Sequence, residues 1–138
     1  MNTREFLAEC RRQAVVIELF SKIKVQAQRD LALFEVKPKH DAWAVIQRAI
    51  IQCDERIAAA EKNQRKLLSV IEALSNPTEK ELIKLKYVHQ ELPFERIAEK
   101  LSYSTRQICR IHEKALQHLT ELLNEAQIFD LSEFFINA

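Results

Sequence analysis

Two arginines, Arg106 and Arg110, stand four positions apart in the stretch from Ser104 to Lys114. On a helix that spacing puts both side chains on one face, while the apolar residues Ile108 and Ala115 point the opposite way. An arginine guanidinium can donate two parallel hydrogen bonds to O6 and N7 of guanine, a pairing worth about 1–3 kcal/mol of discrimination between bases. The pattern therefore predicts a helix whose exposed face could read the major groove of DNA.

The start of this helix supplies further polar candidates. In a helix-turn-helix, the N-terminal turn of the second helix enters the major groove, so the residues nearest that end contact the bases. Backbone amides at a helix start also favour an anion such as a phosphate. The candidate base readers are Thr105, Arg106 and Arg110, and the candidate phosphate contacts are Ser104, Gln107 and Lys114. The alternative interpretation is that these are ordinary solvated side chains on a three-helix bundle.

Other chemistry finds little support in the residue types. Cys109 and His112 are three residues apart, but a structural zinc needs four ligands and no second pair has suitable spacing, so no metal or cofactor is expected. Glu79 and Glu81 are expected to be helix-cap and surface charges, and His118 is a candidate for a phosphate contact or for packing beside the core. The chain contains no glycine, which excludes the phosphate-binding loops of nucleotide enzymes. No Ser/His/Asp or Cys/His set is placed for catalysis, so we do not expect an enzyme.

The C-terminal half must position the arginine face, and its pattern predicts three short helices. The first opens with a capping box at Thr78–Glu81, in which the threonine side chain bonds a backbone amide. The second begins near Pro93 and carries apolar residues at i, i+3, i+4 and i+7. A turn at Ser102–Tyr103 leads to a second capping box, Ser104–Gln107, which opens the third helix. Two short helices joined in this way are typical of a helix-turn-helix.

The N-terminal half is predicted to form two long helices, roughly 3–35 and 43–74, joined through Pro38. Apolar residues of the second helix follow spacings of three and four without a slip, as in a coiled-coil seam. The short link permits an antiparallel hairpin, and apolar residues flanking the seam leave surface for a second chain, which predicts a homodimer. The alternative is an intramolecular hairpin in a monomer. The predicted oligomerisation seam comprises Trp43, Ile46, Ile50, Cys53, Ile57, Gln64, Leu67, Ile71 and Leu74.

The fold class predicted for the chain is all-α, with an N-terminal long helical hairpin (coiled-coil-like) and a C-terminal three-helix helix-turn-helix domain. The predicted parts are the hairpin 1–75, the DNA-binding domain 76–123 and an acidic, aromatic tail 124–138. The tail is expected to fold back on the N-terminal helices or on a twin subunit, or to dock a partner such as RNA polymerase, because so much aromatic surface should not stay in water. No apolar run is long enough for a bilayer, and three separated cysteines suit a reducing compartment. We therefore expect no membrane partner and a location in the cytoplasm of a bacterial host cell.

The segment Thr78–Leu123 resembles a sigma-70 region 4-type helix-turn-helix. The resemblance lies in residues 81–87, 94–101 and above all 103–116, where a capping Ser/Thr, a polar reading face and a Lys-Ala-Leu tail follow one another. A helical N-terminal half joined through an Asn-Pro-Thr-Glu link is more narrowly similar to phage-encoded late-transcription regulators of the ArpU/RinA type. The resemblance implies a DNA-binding transcriptional regulator from a phage, prophage or related mobile element. It places the reading face on Ser104, Thr105, Arg106, Cys109 and Arg110.

Three positions depart from that family pattern. Ser102 stands in the inter-helix turn where glycine is often found, and Pro93 replaces the usual Ser or Thr cap of the preceding helix. Cys109 stands where sigma factors often carry a basic residue, so the promoter specificity of the family does not transfer to this chain.

The residues and the resemblance together predict a sequence-specific regulator of transcription. It would bind double-stranded DNA as a homodimer, reading the major groove with the helix that starts at Ser104, and RNA polymerase is a second candidate partner. One alternative is a phage DNA-packaging adaptor similar to small terminase subunits, for which a ring of eight or more subunits would be expected. Another alternative is a sigma-like or anti-repressor module that binds RNA polymerase or a repressor without reading bases.

Overall fold

A computed structural model of the chain describes residues 2–33, 41–89 and 91–125. Its helices are α1 (Thr3–Leu33), α2 (Asp41–Glu72), α3 (Pro77–Ile83), α4 (Phe94–Leu101) and α5 (Thr105–Glu125), with a π-helical turn at Lys84–Val88 after α3. These three stretches contain no β-strand, which confirms the predicted all-α class and the order of two long helices followed by a helical C-terminal domain. Nor does any helix within them combine the length and the apolar character needed to cross a bilayer.

Helices α1 and α2 form the predicted antiparallel hairpin. The ammonium of Lys24 lies 2.6 Å from a carboxylate oxygen of Asp54, and the guanidinium carbon of Arg56 lies 5.2 Å from the ring centre of Phe20. Positions further along α1 therefore meet earlier positions in α2, which is the antiparallel order. The predicted first helix extended to residue 35, and its last two residues lie outside the described ranges.

The start of α3 corrects one sequence expectation. The side chain of Asn76, not that of Thr78, caps the helix, because its Oδ1 accepts hydrogen bonds from the backbone amides of Thr78 at 2.9 Å and Glu79 at 3.3 Å. Pro77 occupies the first helical turn, where its missing amide hydrogen costs nothing and its fixed φ suits the helix. The residue just before such a proline is the natural cap, and asparagine is among the best capping residues.

The turn between α4 and α5 forms without glycine. Ser102 adopts the left-handed conformation at φ 61° and ψ 42°, and the amide of Tyr103 donates to the carbonyl of Ala98 at 3.0 Å, as in a Schellman closure. The predicted capping box of α5 is confirmed in both directions. The amide of Gln107 donates to Ser104 Oγ at 3.1 Å, and the amide of Ser104 donates to Gln107 Oε1 at 2.9 Å. Helix α5 therefore has a well-defined first turn.

One hydrophobic core joins the end of the hairpin to the helix-turn-helix. Phe6 of α1, Leu67 and Ile71 of α2, Leu82 of α3 and Ile108 of α5 are each completely shielded from solvent in this cluster. The beginning of α1 and the end of α2 thus pack against the C-terminal helices. The predicted domain boundary at residue 75 follows the sequence pattern, but residues on both sides of it belong to the same core.

Candidate nucleic-acid interface

All residues predicted to contact DNA are exposed on one side of the start of α5. They are Ser104, Thr105, Arg106, Gln107, Cys109, Arg110 and Lys114. The opposite side of the same helix is anchored, because Ile108, Ala115, Leu119 and Leu123 are buried in the core. The helix therefore presents a polar face on a rigid base, an arrangement that suits insertion into a groove.

Arg106 and Arg110 make no hydrogen bond or ion pair with any residue that the structure describes. Some other cations among the described residues do form ion pairs. Arg11 lies 3.3 Å from Glu91, and Lys24 lies 2.6 Å from Asp54. The two guanidiniums of α5 thus keep all their donors available for an incoming acceptor, which is the condition for forked recognition of guanine or phosphate.

The capping box leaves donors on two of the three candidate phosphate contacts, Ser104 and Gln107. Ser104 Oγ accepts the amide of Gln107, so its own hydroxyl hydrogen remains available. Gln107 uses Oε1 to accept the amide of Ser104, so its side-chain NH₂ group remains available. Both side chains can therefore approach a phosphate without breaking the start of the helix.

A half-buried cluster of aromatic side chains packs at α5, away from the two arginines. The hydroxyl of Tyr87 lies 2.7 Å from His112 Nε2, and the edge of Phe94 meets the His112 ring at a centroid distance of 5.0 Å. The ammonium of Lys86 lies 4.7 Å from the centre of the Phe94 ring and donates to the carbonyl of Leu92 at 3.1 Å. The cluster ties the π-helical turn and α4 to α5 on the side away from the arginines.

Burial and, secondarily, the nearby charge of Lys86 lower the pKa of His112, which favours the neutral ring. A neutral imidazole can accept a hydrogen bond from the Tyr87 hydroxyl at Nε2, and burial raises the pKa of Tyr87, which keeps that hydroxyl a donor. His112 is thus engaged with Tyr87 and Phe94. Spacing alone could not have shown this contact, because Tyr87 and His112 are 25 positions apart.

Glu79 and His118 connect α3 to α5. Nδ1 of His118 lies 2.8 Å and 3.0 Å from the two carboxylate oxygens of Glu79, whose side chain is almost completely buried. The hydrogen bond and then the negative charge of Glu79 raise the pKa of His118. The expectation of a surface charge at Glu79 is therefore wrong, because the contact with His118 keeps this carboxylate inside.

The predicted oligomerisation residues lie along the side of α2 that packs inside the chain. Cys53, Leu67, Ile71 and Leu74 are buried, and Trp43, Ile46, Ile50, Ile57 and Gln64 are half-buried. Leu67, Ile71 and Leu74 belong to the core shared with the helix-turn-helix. Burial of this seam arises within one chain, and its role in a dimer stays a prediction.

Two further expectations concern metals and the tail. The described residues contain no group of three or more His, Cys, Asp or Glu side chains that could hold a metal ion. The predicted tail lies outside the described residues from position 126 onward.

Comparison with known proteins bears directly on the C-terminal helices. Residues 73–121 match the family Sigma-70, region 4. The match begins just after α2 ends and covers α3, the π-helical turn, α4 and most of α5. No curated protein and no solved structure matches the chain, and the narrower similarity to ArpU/RinA-type phage regulators is not confirmed. Residues 73–121 therefore form a sigma-70 region 4-like helix-turn-helix, which is a DNA-binding type of domain.

Proposed function

We propose that the chain is a sequence-specific regulator of transcription that binds double-stranded DNA and inserts the start of α5 into the major groove. Thr105, Arg106 and Arg110 read base edges in this proposal, while Ser104, Gln107 and Lys114 hold phosphates. The observation that carries it is the pair of exposed, unpaired guanidiniums on the first turns of a helix whose other face is buried. The chain acts by binding rather than by catalysis.

The proposal extends to a homodimer formed through the hairpin. Val15, Leu19 and Ile23 recur every four residues along α1, and each is between two-fifths and just over half exposed. Val45 and Ile51 of α2 are exposed to more than half. Apolar side chains of this kind on a long hairpin support contact with a second copy. A two-fold dimer would present two reading helices to half-sites about 34–36 Å apart, or multiples of that spacing.

We further propose that the regulator belongs to a phage, prophage or mobile element and that it contacts RNA polymerase. The arrangement of a long helical N-terminal half joined through an Asn-Pro-Thr-Glu link supports regulation in a phage, prophage or mobile element. The similarity of residues 73–121 to a sigma-factor region supports contact with RNA polymerase at a promoter.

The test is selection of bound fragments from a random DNA pool at several salt concentrations. We expect an enriched motif with two related half-sites. Arg106→Ala and Arg110→Ala should each lose about 1–3 kcal/mol of affinity for that motif and relax preference at one base pair. Lys114→Ala should weaken binding to all sequences alike and reduce the dependence on salt.

The matched control is Arg48→Ala, which removes the same charge from an exposed position on α2. Arg48 lies about 36 Å along the helix from Glu72, where α2 ends next to the helix-turn-helix. Its loss should therefore leave the motif and the affinity unchanged. Unchanged affinity of both α5 arginine variants for the selected motif would show that these residues do not read bases. Absence of any enriched motif would contradict sequence-specific binding altogether.

A further inference from the structure

A groove separates the first turns of α1 from the second half of α5, and Lys86 and Tyr87 of the π-helical turn also line it. Its volume is about 630 Å³. The hydroxyls of Thr3 and Thr120 are in hydrogen-bond contact at one end, and Phe6 is completely buried in the shared core. The start of α1 is therefore held in place beside α5. These turns of α1 lie outside the part of the chain that matches the sigma-70 region.

The contacts of α1 show in which direction it runs along α5. Its first residue meets the second half of α5, whereas Arg11, eight positions later, pairs with Glu91 at 3.3 Å. Glu91 lies three residues before Phe94, and Phe94 packs on His112, which is about two turns nearer the start of α5. Helix α1 thus runs antiparallel to α5, toward the end that carries the residues proposed to read DNA.

The exposed polar face of α5 continues into this groove. Gln117 lines the groove and follows Arg110 and Arg106 by seven and eleven positions, so it lies on the same face of α5 as both. Arg4 and Arg11 line the groove from α1 and are separated by about 10 Å along that helix. The two cations of α1 therefore form a second basic row beside the arginines of α5.

Both cations of this row are accessible to an anion. Arg4 is exposed and makes no hydrogen bond or ion pair with any residue that the structure describes. Arg11 has a partner, but the side chain of that partner, Glu91, is 67% exposed, and an ion pair so open to water is weak. Glu91 is the one acidic side chain among the described residues that line the groove.

We propose that Arg4 and Arg11 hold backbone phosphates of the DNA beside the bases that α5 reads. This inference rests on the proposed function and adds a contact from the hairpin to it. A guanidinium can donate two parallel hydrogen bonds to a phosphate, and phosphate contacts fix the orientation of a protein on the duplex without reading sequence. The hairpin thereby sets the angle at which α5 enters the major groove.

The position of the row favours DNA over a separate small anion or an acidic protein segment. A duplex bound to Arg106 and Arg110 presents further phosphates along each strand, on both sides of the bases that are read. The row of α1 flanks the same helix and adds positive charge next to that face, so one extended polyanion can contact both rows.

Binding of the full chain to the selected motif and to a random duplex, each at several salt concentrations, tests the proposal. Arg4→Ala should weaken binding to both duplexes by at least about threefold and should lower the slope of log affinity against log salt by about 0.9, the value for one phosphate contact. Arg4→Lys should keep the slope, because the positive charge remains. The matched control is Arg48→Ala on α2, which should change neither quantity.

A variant with the opposite expected effect tests the contact of Arg11. Glu91→Gln should strengthen binding to both duplexes by at least about twofold, because it removes a negative charge that faces the DNA and releases Arg11. The control is Glu55→Gln, which removes the same charge from an exposed position on α2 and should leave the affinity unchanged. Weaker or unchanged binding of Glu91→Gln would overturn the role of Arg11.

Two outcomes separate this inference from the proposed function. If Arg4→Ala kept the salt slope and the affinity of the natural chain while Arg106→Ala still lost its base preference, the phosphate contact of α1 would be overturned and base reading by α5 would stand. If the natural chain bound neither duplex, both proposals would be overturned together.

Discussion

At the residue scale, the surroundings shift the pKa values of the two histidines of α5 in opposite directions. His118 faces the carboxylate of Glu79 on α3, with Glu121 and Lys114 of its own helix nearby, and the net effect raises its pKa. His112 is half-buried against Tyr87 and Phe94, and its pKa is lowered. The surroundings thus favour the charged form of histidine at position 118 and the neutral form at position 112.

The His118–Glu79 pair should make stability depend on pH. Because the folded-state pKa of His118 lies above its ordinary value of 6.5, the pair stabilises the fold fully below that value. This contribution is lost as pH rises through the folded-state pKa. In His118→Gln, the loss of stability relative to the natural chain should therefore be largest below the ordinary pKa of 6.5 and shrink as the pH is raised above it. Urea unfolding at pH values on both sides of 6.5 measures it.

The control for this prediction is His89→Gln, since His89 is exposed and outside the pair. The pH dependence of the His118→Gln effect is judged against this variant. His112 does not interfere, because it is present in both chains, so the stability lost through its lowered pKa as pH falls is the same in each. An effect of His118→Gln that stayed constant with pH would show that charge on the imidazole is irrelevant to the contact.

At the element scale, the helix-turn-helix depends on the end of α4 and the start of α5, which are stabilised in different ways. The start of α5 is fixed by side chains, through the reciprocal bonds of Ser104 and Gln107. The end of α4 is fixed by backbone conformation, through Ser102 at a positive φ. A residue with a side chain is strained in that conformation, because its Cβ approaches the following carbonyl.

Ser102→Gly should therefore stabilise the protein by up to about 1 kcal/mol. Thermal unfolding with matched DNA-binding measurements would show a higher midpoint and an unchanged motif, since the backbone path of the turn is retained. The same substitution at Ser69, inside α2, should cost about 0.5–1 kcal/mol because glycine loses more entropy in a helix interior. A destabilised Ser102→Gly chain would mean that the serine side chain contributes more than its strain removes.

At the scale of the whole molecule, the hairpin and the helix-turn-helix are held by one core. Phe6 near the start of α1 is fully buried beside residues of α2, α3 and α5. Because the two parts share this core, a substitution that destabilises one part should also destabilise the other.

Phe6→Ala should remove about 3–5 kcal/mol of stability, the usual cost of a large cavity in a core. Because the core is shared, α2 and α5 should lose protection from hydrogen exchange together, in one unfolding transition. Leu33→Ala is the matched control on the same helix, since Leu33 is 79% exposed and its loss should change stability by less than about 0.5 kcal/mol. Separate transitions for the two helices would show that the parts fold independently.

Local features of this protein could be predicted from the sequence. The helices, the capping box at Ser104 and the exposure of Arg106 and Arg110 follow from periodicity and from contacts between residues three or four apart. The cap at Asn76 also has a local signal in the sequence, because a proline in the first helical turn indicates that the residue before it is the N-cap.

Contacts between distant residues could not be predicted in this way. The burial of Glu79 depends on His118, 39 positions later, and the engagement of His112 depends on Tyr87. The packing of α1 against the helix-turn-helix likewise depends on how whole helices cross. Helical periodicity says which face of a helix is buried but not which element covers it, so only the tertiary structure decides the partners.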